Sequence, residues 1–122
     1  MPVKKLDRNQ LLFRKLAERK NRLFIEKDLV PVTQKPGPIE APDIEVIKKT
    51  ALRIKAARDS GKSVMITFGA HTIKNGLGPV LISMMEKGWL THLATNGAGI
   101  IHDWEFSYNG MTSEDVRENV GD

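Results

Sequence analysis

Residues 63–108 read SVMITFGAHTIKNGLGPVLISMMEKGWLTHLATNGAGIIHDWEFSY, and this stretch decides the fold. Ser63–Phe68 is a run rich in β-branched and large apolar residues, the composition of a buried strand. It breaks at Gly69. A polar loop, Ala70–Gly78, leads into an apolar helix opened by Pro79, which suits the first helical turn, and Gly88 ends that helix. Thr91–Asn96 is the second strand-like run. It breaks at Gly97-Ala98-Gly99 and passes directly into a helical stretch, Ile100–Tyr108. Strand, glycine break, helix, repeated once, is the pattern of a parallel α/β sheet. Ligands of such sheets sit beyond the carboxyl ends of the strands. Two loops, 69–78 and 96–105, are therefore the expected binding edge.

Working outward, Asp43–Ser60 is the clearest helix. Ile44, Ile47, Ala51, Ile54 and Arg58 follow helical spacing, with Val46 and Ala57 beside them, and Gly61 supplies a left-handed C-terminal cap. Before it, residues 31–42 carry four of the six prolines, and a segment that dense in proline reads as a linker or a loop draped over the core. Asn21–Val30 is ambiguous between a short strand and an extended arm. Asp7 is placed to cap a helix running to about Lys20, with Leu12, Leu16 and Arg19 on one stripe and Phe13 and Ala17 widening it. After the Asn109-Gly110 turn signal, Thr112 or Ser113 reads as the N-cap of another helix. The organisation expected is thus a basic helix and arm over 1–30, a linker over 31–42 and a Rossmann-like α/β core over 43–122. Two parallel strands do not make a sheet with both faces covered, so the expectation is the front part of a larger domain or one completed by oligomerisation.

Composition excludes several classes. The 122 residues suit one domain at most, and no apolar run is long enough to span a bilayer. The opening residues MPVKKLDRNQ lack a signal-peptide core, so a cytoplasmic location is expected. With no cysteine, disulfides, thiolate nucleophiles and cysteine-ligated zinc are ruled out. The net charge of +4 is concentrated in residues 1–30, which hold nine Lys/Arg against four acids; the remainder is close to neutral. A basic arm of this kind can follow phosphates or an acidic protein, or be a solvated helix face.

The residues able to carry chemistry lie in the two loops. Glycines in Asn96-Gly97-Ala98-Gly99 let backbone approach a ligand, and free N–H groups at a helix start favour an anion, although the full G-x-G-x-x-G pattern is absent. A tight turn without a ligand accounts for the same residues. His71 follows the first strand and His102 lies in the first turn after the second. Together with Asp103 and Glu105 they are candidates for acid–base work in one cleft, with a structural role as the alternative. Their spacing matches no metal signature. Lys74 and Asn75 are candidates to contact a phosphate or carboxylate. His92 reads as packing or exposed filler, and Leu81, Met84 and Met85 as core. Trp104 and Phe106 point about 200° apart on a helix, so only one of them is expected in the core.

From Gly69 to Val116 the sequence resembles an uncharacterised group of bacterial proteins related to deoxyhypusine synthase. Loop, helix, strand and glycine turn come in the same order, closely over about residues 63–116. The resemblance implies a Rossmann-like fold that binds NAD, a homo-oligomer, and Thr95-Asn96-Gly97-Ala98-Gly99 as the turn facing the dinucleotide. Gly69 belongs to the same edge, and Asp103 or Glu105 would contact ribose or substrate. The catalytic lysine of deoxyhypusine synthase has no counterpart in these residues and Lys74 does not match its motif, so aminobutyl transfer is not assigned. A small-molecule dinucleotide is the partner expected, with no membrane and no nucleic acid. The rival reading is a non-catalytic module whose basic arm holds nucleic acid or an acidic protein.

Overall fold

A computed structural model describes residues 5–120. Lys4 of the basic arm and the chain end at Asp122 lie outside the described residues. Two small sheets organise the rest. Strand β1 (Asn21–Phe24) is followed by a helical turn, α1 (Ile25–Asp28), and the long helix α2 (Ala41–Asp59) follows the proline-rich segment. Then come β2 (Met65–Phe68), α3 (Ala70–Lys74), α4 (Gly78–Glu86), β3 (His92–Thr95) and α5 (Gly97–Asn109). The described chain closes with β4 (Met111–Glu114) and α6 (Val116–Asn119).

Both strand–helix units form, with α5 beginning at Gly97 and so taking in the Gly97-Ala98-Gly99 stretch that the sequence reads as a break. Strands β2 and β3 pair in parallel, with Met65 opposite His92 and Phe68 opposite Thr95. The pair ends flush, so both chains leave the sheet at the same edge. Thr91 locks the entry to the pair: its hydroxyl accepts from Val64 N–H at 2.9 Å and also bonds the Val64 carbonyl at 2.9 Å. The architecture is mixed α/β, and among the described residues the parallel component is this one pair. The other sheet joins β1 to β4 antiparallel, with Asn21 opposite Glu114 and Phe24 opposite Met111. Residues 21–24 are therefore stitched onto the far end of the chain.

Three local expectations change in the folded protein. Residues 7–20 form two short 3₁₀ turns, Arg8–Gln10 and Leu16–Glu18, and not one α-helix. Asp7 does cap the first, accepting from Asn9 N–H at 3.0 Å. The stripe that was to bury this helix finds no surface: Leu12 is 96% and Phe13 89% exposed. A short helix with no buried face lacks the packing that stabilises most helices. The loop after Gly69 holds a helical turn of its own, α3. At the far end Thr112 and Ser113 lie in β4 and the N-cap is Asp115, which accepts from Glu118 N–H. Pairing with β1 outweighs the local capping signal there, and Ser113 is held at φ 61.

Leu81 of α4, Leu90 and Phe106 of α5 form the buried apolar centre, each 5% exposed. Trp104 is the outward member of its pair and stacks on Tyr108 with ring centroids 4.9 Å apart. Two glycines make close approaches possible. Gly110 closes α5 at φ 68. Gly76, at φ 80, turns the chain against the Asp28 backbone, where a β-carbon would collide, and its carbonyl accepts from Val30 N–H at 2.9 Å. The segment after β1 is thereby tied to the α3–α4 turn. Arg58 anchors the end of α2, donating to the carbonyls of Gly88 (2.7 Å) and Lys62 (2.6 Å).

Candidate functional site

The flush ends of β2 and β3 put Gly69 and Asn96 side by side. They line an open cavity of about 490 Å³ with Thr67, Phe68, Ala94 and Thr95. Asn96 caps α5, its Oδ1 accepting from Gly99 N–H at 3.0 Å. The N–H groups of Gly97 and Ala98 lie outside the helical ladder and are available to an acceptor. A β-carbon at Gly69 or Gly97 would meet nothing within 4 Å, so both glycines border open space. Gly99 is different: it is buried, and a β-carbon there would run into the Thr95 side chain. Its role is close contact between α5 and the end of β3.

A second cavity of about 230 Å³ shares Phe68 and Thr95 with the first. Asp103 borders it beside Gly99 and Ile100. Asp103 thus stands one helical turn along α5 from the glycine turn, within the same edge region. It is exposed at its rim.

His102 and Glu105 take another direction. They join a polar cluster between α5, β4 and the arm, built on Thr112, which is completely buried. The Thr112 hydroxyl donates to Glu105 Oε2 and meets His102 Nδ1 at 2.7 Å. Arg19 reaches in from the arm and donates to Glu105 Oε1 at 2.7 Å. Thr112 has one proton to give; because Glu105 takes it, the ring nitrogen facing Thr112 must carry a proton itself. His102 Nδ1–H is therefore the donor in its bond to the Thr112 hydroxyl. Burial works against the charge on Glu105. The bonds from Thr112 and Arg19, with the positive charge of Arg19 and a smaller contribution from the neighbouring His102 ring, outweigh it and hold the carboxyl below its ordinary range. Arg19 Nε and Nη2 are buried without an acceptor among the described residues, so this guanidinium depends on Glu105 for its charge partner.

The remaining candidates are dispersed. His71 is exposed on the first turn of α3, and no hydrogen bond or ion pair joins it to His102 among the described residues. Lys74 and Asn75 lie at the opposite end of α3, one turn away from Gly69, because α3 occupies what reads in sequence as a loop. His92 bonds its neighbour Thr91 through Nδ1 at 2.8 Å. Among the described residues no group of carboxylates and histidines is arranged to hold a metal ion, and no helix is long and apolar enough to cross a membrane.

The edge residues Gly69, Asn96, Gly97, Ala98, Gly99 and Asp103 thus come together, whereas no hydrogen bond or ion pair among the described residues joins the two histidines. Arg19 and Thr112 are central to the polar cluster and carry no motif. The signal for Arg19 was its place on the apolar stripe Leu12–Leu16–Arg19, since an arginine on a face to be buried needs an acid. Two cations of the arm are committed within the chain: Arg19 to Glu105, and Arg22 to Asp115 at 2.8 Å. Set against protein-family models, curated proteins and solved structures, the chain matches none.

Proposed function

We propose that this chain is a cytoplasmic, Rossmann-like domain that binds a dinucleotide, NAD by the resemblance to deoxyhypusine synthase. One observation carries the reading: β2 and β3 end flush in parallel, and an open cavity at their carboxyl edge meets the glycine-rich start of the 13-residue helix α5. That edge is where parallel α/β sheets take their ligands. Unsatisfied N–H groups and the positive end of the helix dipole suit a pyrophosphate. Gly69 and Gly97 keep the approach free of side chains, and Asp103, one turn along α5, is the acid placed for a ribose hydroxyl. No reaction is assigned to the site.

The test is a thermal melt of the chain with NAD, ADP or inorganic pyrophosphate, beside Gly97→Asp. At a hundredfold excess over Kd, a ligand confined to the folded state adds about 2.7 kcal/mol. For a chain of this length that raises Tm by about 10 °C. The Gly97→Asp side chain enters open space at a helix start, where an acid is favourable, so the unliganded variant keeps its Tm while the carboxylate repels phosphate. A shift with NAD and ADP that the variant lacks supports the reading. A cooperatively melting wild type unmoved by all three at millimolar concentration refutes it.

A further inference from the structure

The sequence holds three Asn-Gly pairs: Asn75-Gly76, Asn96-Gly97 and Asn109-Gly110. Such a pair can react with itself. The glycine nitrogen attacks the asparagine side-chain amide, and with no β-carbon on the glycine little hinders the approach. The reaction needs that nitrogen free and the asparagine side chain within its reach, so the fold decides which pair is reactive. Two of the three are held back. Gly76 is buried, and its N–H donates to the Ile73 carbonyl at 2.9 Å. Gly110 N–H donates to the Phe106 carbonyl at 3.0 Å, and Asn109 ends α5 with its Nδ2 buried.

Asn96-Gly97 differs on each count. Both residues are exposed, and Gly97 N–H, at the start of α5, makes no hydrogen bond among the described residues. The Asn96 side-chain carbonyl is also activated. Its Oδ1 accepts from Gly99 N–H at 3.0 Å, a donor placed to stabilise negative charge developing on that oxygen. The positive end of the α5 dipole favours the same charge, and favours loss of the proton from the Gly97 nitrogen. Asn96 is extended, with φ −89 and ψ 169, so ψ must turn before the nitrogen reaches Cγ. That rotation falls at a helix end, where the chain frays. A β-carbon at Gly97 would meet nothing within 4 Å, so no neighbour blocks it.

From this contrast we infer that Asn96 is a self-modification site, converting to aspartate and isoaspartate through a succinimide while the protein stays folded. The Gly97 nitrogen gives its proton to hydroxide and bonds to Asn96 Cγ. The Cγ–Nδ2 bond breaks, and Nδ2 takes a proton from water and leaves as ammonia. A second water then opens the ring. Cleavage at Cγ leaves aspartate; cleavage at the main-chain carbonyl leaves isoaspartate, with the chain routed through the side chain. Nothing is oxidised or reduced, and water is the one co-reactant. Aspartate keeps the cap of α5, since its carboxylate accepts from Gly99 N–H as the amide does. It also sets a negative charge beside the free N–H groups of the edge. Isoaspartate adds a backbone carbon there and moves the cap out of register. Resting on the dinucleotide reading, either product closes the edge to phosphate, so the site ages from a binding to a non-binding form.

Peptide mass spectrometry of the folded chain, held at mildly alkaline pH and sampled over days, tests the site. Fragment ions place the conversion, and isoaspartyl methyltransferase labels the rearranged product. Asn96 is expected to convert about fivefold faster than Asn75 or Asn109, or more, since each of those must first break a backbone hydrogen bond. In urea the three rates converge. Gly97→Ala slows conversion severalfold, because a β-carbon crowds the attacking nitrogen. Asn96 converting no faster than the other two in buffer overturns the inference, as does a Gly97→Ala chain that converts at the wild-type rate. The consequence is read separately with Asn96→Asp. This variant is expected to melt like wild type without ligand and to lose the Tm shift that NAD gives wild type; an undiminished shift overturns the closing of the edge. A wild type unmoved by NAD refutes the dinucleotide reading, and the mass measurement still decides the modification.

Discussion

Replacing Thr112 by valine keeps its volume and removes only its hydroxyl. The site is completely buried, so water does not substitute for the lost group. Glu105 Oε2 loses a donor and His102 Nδ1–H loses its acceptor. A hydrogen bond to a charged group contributes about 1.5–3 kcal/mol, and a stranded buried donor costs about 1–3 kcal/mol. The extra methyl returns about 0.8 kcal/mol. The net expectation is a loss of about 3 kcal/mol. Unfolding entropy is about 2.1 cal/mol/K per residue, roughly 0.25 kcal/mol/K for the whole chain, so Tm falls by about 12 °C. Thermal unfolding by circular dichroism reads this directly, with urea unfolding as a second route to the same free energy. Thr112→Ser, which keeps the hydroxyl and loses a methyl, serves as the control and falls by far less. If the valine variant melts within about 2 °C of wild type, or no lower than the serine variant, the cluster does not bind the arm to the core as argued.

The same cluster shapes the acid side of stability. The folded-state pKa of Glu105 is lowered, so its contribution is fully present above the ordinary carboxylate range and is lost as pH falls through the folded value. Glu105→Gln should flatten that part of the stability–pH curve, and an unchanged acid slope in urea titrations at several pH values would refute the assignment. Gly110→Ala and Gly76→Ala both force a side chain into the left-handed region. At Gly110 the nearest atom to the new carbon is Ile25 Cγ2 at 3.7 Å, so only the backbone term of about 1 kcal/mol applies. At Gly76 the collision with the Asp28 backbone adds to it, and the loss should exceed about 3 kcal/mol; equal effects on Tm would contradict the tight turn. Arg58→Ala removes two bonds to carbonyls and should cost about 1 kcal/mol. Faster amide exchange confined to the last turns of α2 is the expected signature, and unchanged exchange there would show that the guanidinium does not anchor the helix.

What could be read from the sequence was what depends on neighbours in the chain. The span of α2, the left-handed cap at Gly61 (φ 69), the strand ending at Phe68 and the helix ending at Gly110 all follow from spacing and glycine placement. The shared edge of Gly69 and Asn96 was legible because two consecutive strand–glycine–helix units of similar length place their breaks at one end of a parallel pair. Asp103 came with it, being fixed to the glycine turn by one helical period.

The rest rests on partners far apart in sequence. Helical spacing predicts where Glu105 and His102 lie on α5 but not which neighbour covers that face. Arg19, 86 residues from Glu105, and Thr112, on a strand defined only by its pairing with β1, draw both side chains into the polar cluster. Asp115 caps α6 while Thr112 and Ser113 enter β4, because ladder bonds and complete burial of Thr112 outweigh a local preference for capping. The stripe at Leu12 and Leu16 fails to make an α-helix for the converse reason, since no packed surface rewards it. Local chemistry, then, determined the strand–glycine–helix units and the edge they share. Only the tertiary structure decided which polar groups meet, because a buried charge goes where its partner is, and no spacing rule encodes that.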